Sequence, residues 1–454
     1  MDAFLHAPAT EIARAIRERE VSSHEIVAAQ LERIAAVNPA LNAVVLLDAD
    51  GALAAARRAD AMLATGGEVG PLHGVPMTIK DNLDTAGLVS TGGTKGRAQF
   101  VPNEDATVVA RLRAAGAILL GKTNTPELTM AYETDNLLHG RTNNPFDLSL
   151  TCGGSSGGAA AIIAASGSPF DIGSDTGGSI RVPSHFCGIA GLKPTAGRMP
   201  KAGHILPPGN IIDDMTTLGP MARTVGDLAL VLAVIADGAL ESSATPRPRV
   251  AFFTDNGIVP PTAEIADAVR RAVAHLAAAG CRVEEARPVE VSESFDLTLA
   301  LWTADGGDGF AAQLAAHGTE ELHPFMETVM GVCRAGRRTD AETAALFERW
   351  QRFRDGMNRF MDDRDLLVSP VAPFPAVPHG QTFAGDCFPG FSYTMTHNLT
   401  GWPAAVVRAG TTESGLPIGV QIAARPGEDA AVLAAAGWLE RAFGVWPAPG
   451  MRFA

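Results

Sequence analysis

Three short stretches hold reactive side chains in settings that could fix them in place: PMTIKDN at 76–82, CGGSSGG at 152–158 and SDTGGSIR at 174–181. The first closes an apolar, β-branched run on Lys80. Burial disfavours an ammonium, so a lysine there can be left neutral and basic; the ordinary alternative is a strand-end lysine that snorkels to solvent. In the third stretch glycines precede a serine, so successive backbone N–H groups can point one way and hold a developing oxyanion. A tight turn has the same composition. A neutral lysine, a nucleophilic hydroxyl and backbone donors are together what cleaving an amide without histidine requires.

Other chemistries lack their residues. GGSSGGAA has no lysine at the offset of a phosphate loop, and no GxGxxG joins a strand to a helix as a dinucleotide site needs. The eleven histidines form neither an HExxH pair nor a zinc-like cluster, so no metal and no cofactor is expected. No GxSxG elbow frames either serine turn.

The elements around these stretches alternate. Ser22 and Glu25 have capping-box spacing, and Ile26, Val27, Leu31, Ile34 and Val37 follow at helical intervals until Asn38-Pro39, where the helix is expected to stop. A second helix is expected over 49–64, a strand ending at Lys80, a helix over 107–115, a strand over 117–120 and a turn over 121–124. Gly157-Gly158 runs into AAAIIAASG, a helix that argues against a loose linker at 152–158. FDIGSD (170–175) is read as a strand. ESSATPRPRV (241–250) is the candidate linker, helices dominate 300–364, and strands are expected within 366–376 and 416–424. The aromatics of the helical stretch, Trp302 and Phe310 among them, are read as core. Helix alternating with strand argues for an α/β fold.

A net charge of −14 without a run of Lys or Arg disfavours nucleic acid and anionic membranes as partners. The N-terminus becomes charged too early for a signal peptide, and no apolar run reaches membrane-spanning length. Five cysteines, 152, 187, 281, 333 and 387, stand singly, which suits a reducing compartment; a cytoplasmic protein is expected.

With GVPMTIKDN (74–82), GGSSGG, SDTGGSIRVPSHFCGIAGLKPT (174–195), NLTGWPAAVV (398–407) and GLPIGVQI (415–422), the chain resembles the amidase signature family, which uses a Ser-cisSer-Lys triad. The resemblance implies one α/β domain over 1–454, built on a large mixed, mostly parallel central sheet covered by helices on both faces. Its core motifs would span 72–220, with a more variable, substrate-shaping region at about 241–400. Carried over residue by residue, it makes Lys80 the base, Ser155 the bridging serine after a cis Gly154–Ser155 peptide, and Ser179 the nucleophile. Thr176, Gly177 and Gly178 would supply oxyanion donors with Ser179, while Ser156, Asp175 and Arg181 would support the loops.

The implied activity is hydrolysis of an amide, with aryl amides, esters and carbamates also in view, through a Ser179 acyl-enzyme. Met130, Tyr132 and the aromatic-rich stretch 374–402 are candidates for an apolar pocket. The rival within the family is the amidase subunit of a glutamine-dependent tRNA amidotransferase. It is disfavoured because Val182 follows Arg181 where that subunit tends to have glutamine, and because AGHILPPGNIIDDMTTLGP (202–220) lacks its usual wording. A catalytically silent binding protein on the same scaffold is the rival outside it. A homodimer is left open, as are the roles of Cys152, which stands where relatives often have proline, and of His185.

Overall fold

The computed structural model describes residues 2–206, 208–209, 211–239, 247–444, 446 and 449. Most of the candidate linker, 241–246, lies outside them. Eleven strands are formed among the described residues: β1 Val44–Leu47, β2 Pro76–Lys80, β3 Ile118–Thr123, β4 Phe170–Asp175, β5 Ala190–Lys193, β6 Thr217–Ala222, β7 Arg249–Phe252, β8 Arg282–Glu285, β9 Leu366–Pro370, β10 Ala404–Thr411 and β11 Pro417–Ala423. β3 lies between β1 and β2 in a small sheet, parallel to β2 and antiparallel to β1. The other eight form the large sheet in the order β4-β6-β5-β10-β11-β9-β7-β8.

The large sheet is mixed and flanked by helices, as expected, but its parallel share is smaller than the expectation. Only the β9–β7 and β7–β8 pairs are parallel, and the other five are antiparallel. Helix–strand alternation suggests parallel crossovers, but periodicity does not say which strand becomes a neighbour. Here β4, β6 and β5 meet antiparallel, although a helix precedes each of the last two.

Period-two alternation then separates two cores. Val368, Ala405 and Ile422 face the helices Val225–Ile235, Ala263–Ala278 and Asp429–Phe443. Their neighbours Leu367, Ala404 and Ala423 face Ser294–Trp302, Asp340–Phe360 and Ser392–Thr400. Burying each Val, Leu or Ile in these layers contributes about 1.5–3 kcal/mol.

Two local expectations shift. The capping box of Ser22 and Glu25 forms, yet the helix Ser23–Leu41 carries Pro39 inside and ends on Asn42 in the left-handed region. β3 also runs on through Gly121 and Lys122, which read as a turn. A Cβ on Gly121 would stand 2.1 Å from the Leu46 carbonyl oxygen, so that glycine serves the close approach of β1.

Candidate active site

β2 ends by delivering Lys80, whose side chain is fully buried. Its Nζ lies 2.6 Å from Ser155 Oγ, 3.0 Å from Ser156 Oγ and 3.0 Å from Ser174 Oγ. Burial pushes the Lys80 amine well below the ordinary lysine range, and the more distant carboxylates of Asp171 and Asp175 oppose this only in part. A neutral amine has two N–H donors and one lone pair, which matches three hydroxyl neighbours. Ser156 Oγ donates to the Ser174 carbonyl at 3.4 Å, and Ser174 Oγ also accepts from Asn82 Nδ2 at 2.9 Å. Ser155 is thus the hydroxyl best placed to turn its proton toward the lysine lone pair.

The serine turn is closely packed. The Gly154–Ser155 peptide is cis, as the resemblance implies. A Cβ on Gly157 would come 2.4 Å from Thr134 Oγ1, and one on Gly158 would come 2.4 Å from the Asn124 amide nitrogen. These glycines let the Thr134 side chain and the Asn124 backbone close in on the buried helix Gly157–Ala164.

From β4 the chain passes through Asp175 into the second glycine turn. The Asp175 carboxylate accepts from Arg181 at 2.9 and 3.0 Å, from Asn398 Nδ2 at 2.9 Å, and from the N–H groups of Gly178 at 2.9 Å and Ile180 at 3.2 Å. Burial alone would raise its pKa, but the Arg181 charge and hydrogen bonds, aided by Lys193 and Asn398, hold it down at about 2. Arg181 also donates to the Thr394 carbonyl, Asn398 Oδ1 and Gln421 Oε1, tying the turn to the helix Ser392–Thr400 and to β11. The Gly177 carbonyl accepts from Tyr132 OH at 2.9 Å and Thr394 Oγ1 at 2.6 Å.

The Gly177–Gly178 peptide is therefore held on both sides, and here the expectation for Gly178 changes. Its N–H, assigned to the oxyanion, is engaged by Asp175. Among the described residues, no group accepts from the N–H of Thr176, Gly177 or Ser179, so these three are the donors left for a ligand. The Ser156 N–H donates to the Ser179 carbonyl at 3.1 Å and joins the two turns.

Ser179, Thr176 and Gly177 are among the residues that line an apolar cavity of about 160 Å³. Met130 and Tyr132 also line it, and Phe383 and Phe388 come from the aromatic-rich stretch. Tyr132 stacks on Phe391 with ring centroids 4.0 Å apart, which fixes its hydroxyl against Gly177. Sequence reasoning missed Ser174, Asn82 and the cavity role of Trp302. The first two stand at the ends of stretches already singled out, whereas nothing in the spacing of Trp302 separates it from core aromatics.

Two open residues find structural roles. His185 accepts from the Gly419 N–H at Nδ1 (2.7 Å), its Nε2 meets the Phe374 carbonyl (3.0 Å), and burial pushes its pKa down to about 4. Cys152 is buried with its thiol 3.4 Å from the Thr142 carbonyl, and burial pushes its pKa up, leaving it a poor nucleophile.

The sequence model of the family described as Amidase matches residues 25–433. The chain is 35% identical to an acylamidase of Rhodococcus erythropolis, over 94% of this chain and 93% of that protein. It is also 35% identical to a glutamyl-tRNA(Gln) amidotransferase subunit of Moorella thermoacetica, over 94% and 95%. Its fold superposes on 6-aminohexanoate cyclic dimer hydrolase with a TM-score of 0.87 and 29% identity, covering 98% of this chain and 99% of the other. The chain thus belongs to the amidase signature family and is a hydrolase of amide C–N bonds.

Proposed function

We propose that the chain acts alone as an amidase on amides with an apolar acyl group, through an acyl-enzyme on Ser179. The observation that carries this reading is the environment of Lys80: full burial, three hydroxyl neighbours and a 2.6 Å contact with Ser155. As Ser179 Oγ attacks the carbonyl carbon, its proton passes to Ser155 and the Ser155 proton passes to the Lys80 amine. The new O–C bond leaves a negative oxygen, which the N–H groups of Thr176, Gly177 and Ser179 receive. When the C–N bond breaks, Ser155 gives a proton to the departing nitrogen and is refilled from Lys80. Water then adds by the same relay, and carboxylate leaves.

Esters and carbamates present the same carbonyl and fall within this reading. Asp175 and Arg181 position the Ser179 turn, while Ser156 and Ser174 orient Lys80. The test is to incubate the purified chain with acyl anilides, without glutamine or any second protein, and to look for the acyl-enzyme by intact mass and peptide mapping. Turnover with the adduct on Ser179, lost in Ser179→Ala, is expected. Activity that needs glutamine and a partner would favour the amidotransferase reading, and undiminished turnover by Ser179→Ala would remove the nucleophile assignment.

A further inference from the structure

We propose that Trp302 is a specificity-determining partition that confines the substrate's acyl group to a ring-sized cavity beside Ser179 and shuts it out of a second cavity. The proposal rests on the Ser179 acyl-enzyme reading and extends it to the size of the acyl group. The second cavity, of about 180 Å³, is lined by Leu206, Ile211, Ile212 and Gln313, among others. Trp302 and Phe310 line both cavities. An enclosed apolar cavity of about 150 Å³ accommodates benzene, so the 160 Å³ beside Ser179 suits one aromatic ring or a short alkyl chain.

The acyl side, rather than the amine side, follows from where the relay stands. The cavity is lined by Thr176, Gly177 and Ser179 but by none of Lys80, Ser155 and Ser156. Ser155 must reach the departing nitrogen, so the amine lies toward the relay and the other substituent of the carbonyl extends into the cavity.

Trp302 ends the helix Ser294–Trp302 and presses its six-membered ring on the oxyanion turn. A Cβ on Gly177 would come 2.6 Å from the indole Cη2. Of the two residues shared by the cavities, Trp302 is therefore the one that meets the turn bearing the nucleophile. Its buried indole N–H has no acceptor among the described residues. Packing alone holds the ring, and truncating it leaves no partner unsatisfied, so Trp302→Ala is chiefly a change of volume.

The test uses alkyl fluorophosphonates with chains of two to twelve carbons, which put an alkyl group where the acyl group would lie. Ser179 Oγ displaces fluoride, forming O–P as P–F breaks, with its proton passing into the relay. The readout is the ratio of second-order labelling rates, long chain over short, which cancels any general loss from loosening Gly177. Each methylene gaining burial is worth roughly fourfold. The expected result is a wild-type rate that falls beyond about six carbons and an eight-to-four-carbon ratio at least tenfold higher in Trp302→Ala.

Trp302→Phe, which changes less volume, should shift the ratio the same way by roughly threefold, and it carries the test if the alanine variant does not fold. Adding Ile212→Trp to Trp302→Ala refills the second cavity and should restore the wild-type ratio. Variants labelled at Ser179 with an unchanged ratio would overturn the partition alone. Wild type left unlabelled at Ser179 by the whole series would overturn the nucleophile assignment, and the partition with it.

Discussion

Two lysines on neighbouring strands, both fully buried, have been put to different uses. β2 and β3 pair so that Ile79 stands opposite Lys122 and Lys80 opposite Thr123, which sends the two lysines to opposite faces of one small sheet. Lys122 Nζ donates to the Leu83 carbonyl at 2.5 Å, to Thr85 Oγ1 at 2.9 Å and to Ser90 Oγ at 3.0 Å, with the Asp81 carboxylate 3.7 Å away. Burial lowers its pKa only to about 8 because Asp81 opposes the shift, so at neutral pH it remains an ammonium. Lys80 has hydroxyls where Lys122 has a carbonyl and a carboxylate. The acid that most opposes its shift, Asp171, is itself pushed up by burial to about 7 and is a weak counter-charge. Burial makes a lysine costly to charge; the surrounding groups decide whether it becomes a base or a strut.

Replacing each lysine by methionine tests that contrast most strongly. Lys80→Met should lower kcat/KM by about 10²–10⁴-fold, the usual worth of a general base, in a chain that still folds. At neutral pH it should be no less stable than wild type, since it no longer has to bury an amine. Lys122→Met should do the reverse. It strands Asp81 as an unpaired buried charge, and breaking a buried pair costs about 3–5 kcal/mol, while the folded fraction keeps kcat within tenfold. Urea titrations beside single-substrate kinetics measure both; a Lys122→Met variant that folds normally and has lost turnover would erase the distinction.

The sequence separates these lysines only in part. Lys80 is readable because a β-branched run leads to it and a serine turn and a glycine turn follow at family-like separations. Lys122 is hidden behind Gly121, which looks like punctuation and in fact accommodates the Leu46 carbonyl. Ser174 and Asn82 sit within quoted motifs, yet only the approach of β2 to β4 turns them toward Lys80. The same limit explains the large sheet, where the sequence signals β4, β9 and β11 but not β5, β6 or β10, nor which strands pair antiparallel. Trp302 reads as core from its helical spacing, whereas it is half-buried and lines both cavities, because a boundary between two cavities has no periodic signature.

The pH dependence carries the contrast into measurable slopes. Below the lowered folded pKa of Lys80 the relay's base is protonated, so log kcat/KM should rise with unit slope there and level off above it. For stability, the unfolded chain binds a proton at Lys80 up to the ordinary lysine pKa of about 10.4, while the folded chain does not once the pH exceeds its lowered value. The unfolded state thus holds more protons across that window, and the Lys80 contribution to stability rises with pH. The stability advantage of Lys80→Met over wild type should therefore shrink as the pH rises toward the ordinary lysine pKa. A difference that stays constant would mean Lys80 is charged in the fold.

The smallest expected effects compare one hydroxyl on each side. Ser174→Ala removes an acceptor from Lys80 Nζ and from Asn82 Nδ2, which should cost about 1–3 kcal/mol of stability. A hydroxyl oxygen stabilises an ammonium more than an amine, so losing it should move the acid limb of kcat/KM to lower pH, with the plateau within tenfold of wild type. Thr85→Val removes the matching acceptor from Lys122 and should cost a similar amount without moving that limb, because Lys122 takes no part in the relay. If both variants moved the limb equally, the profile would be reporting the field of the whole sheet rather than the hydroxyls around Lys80.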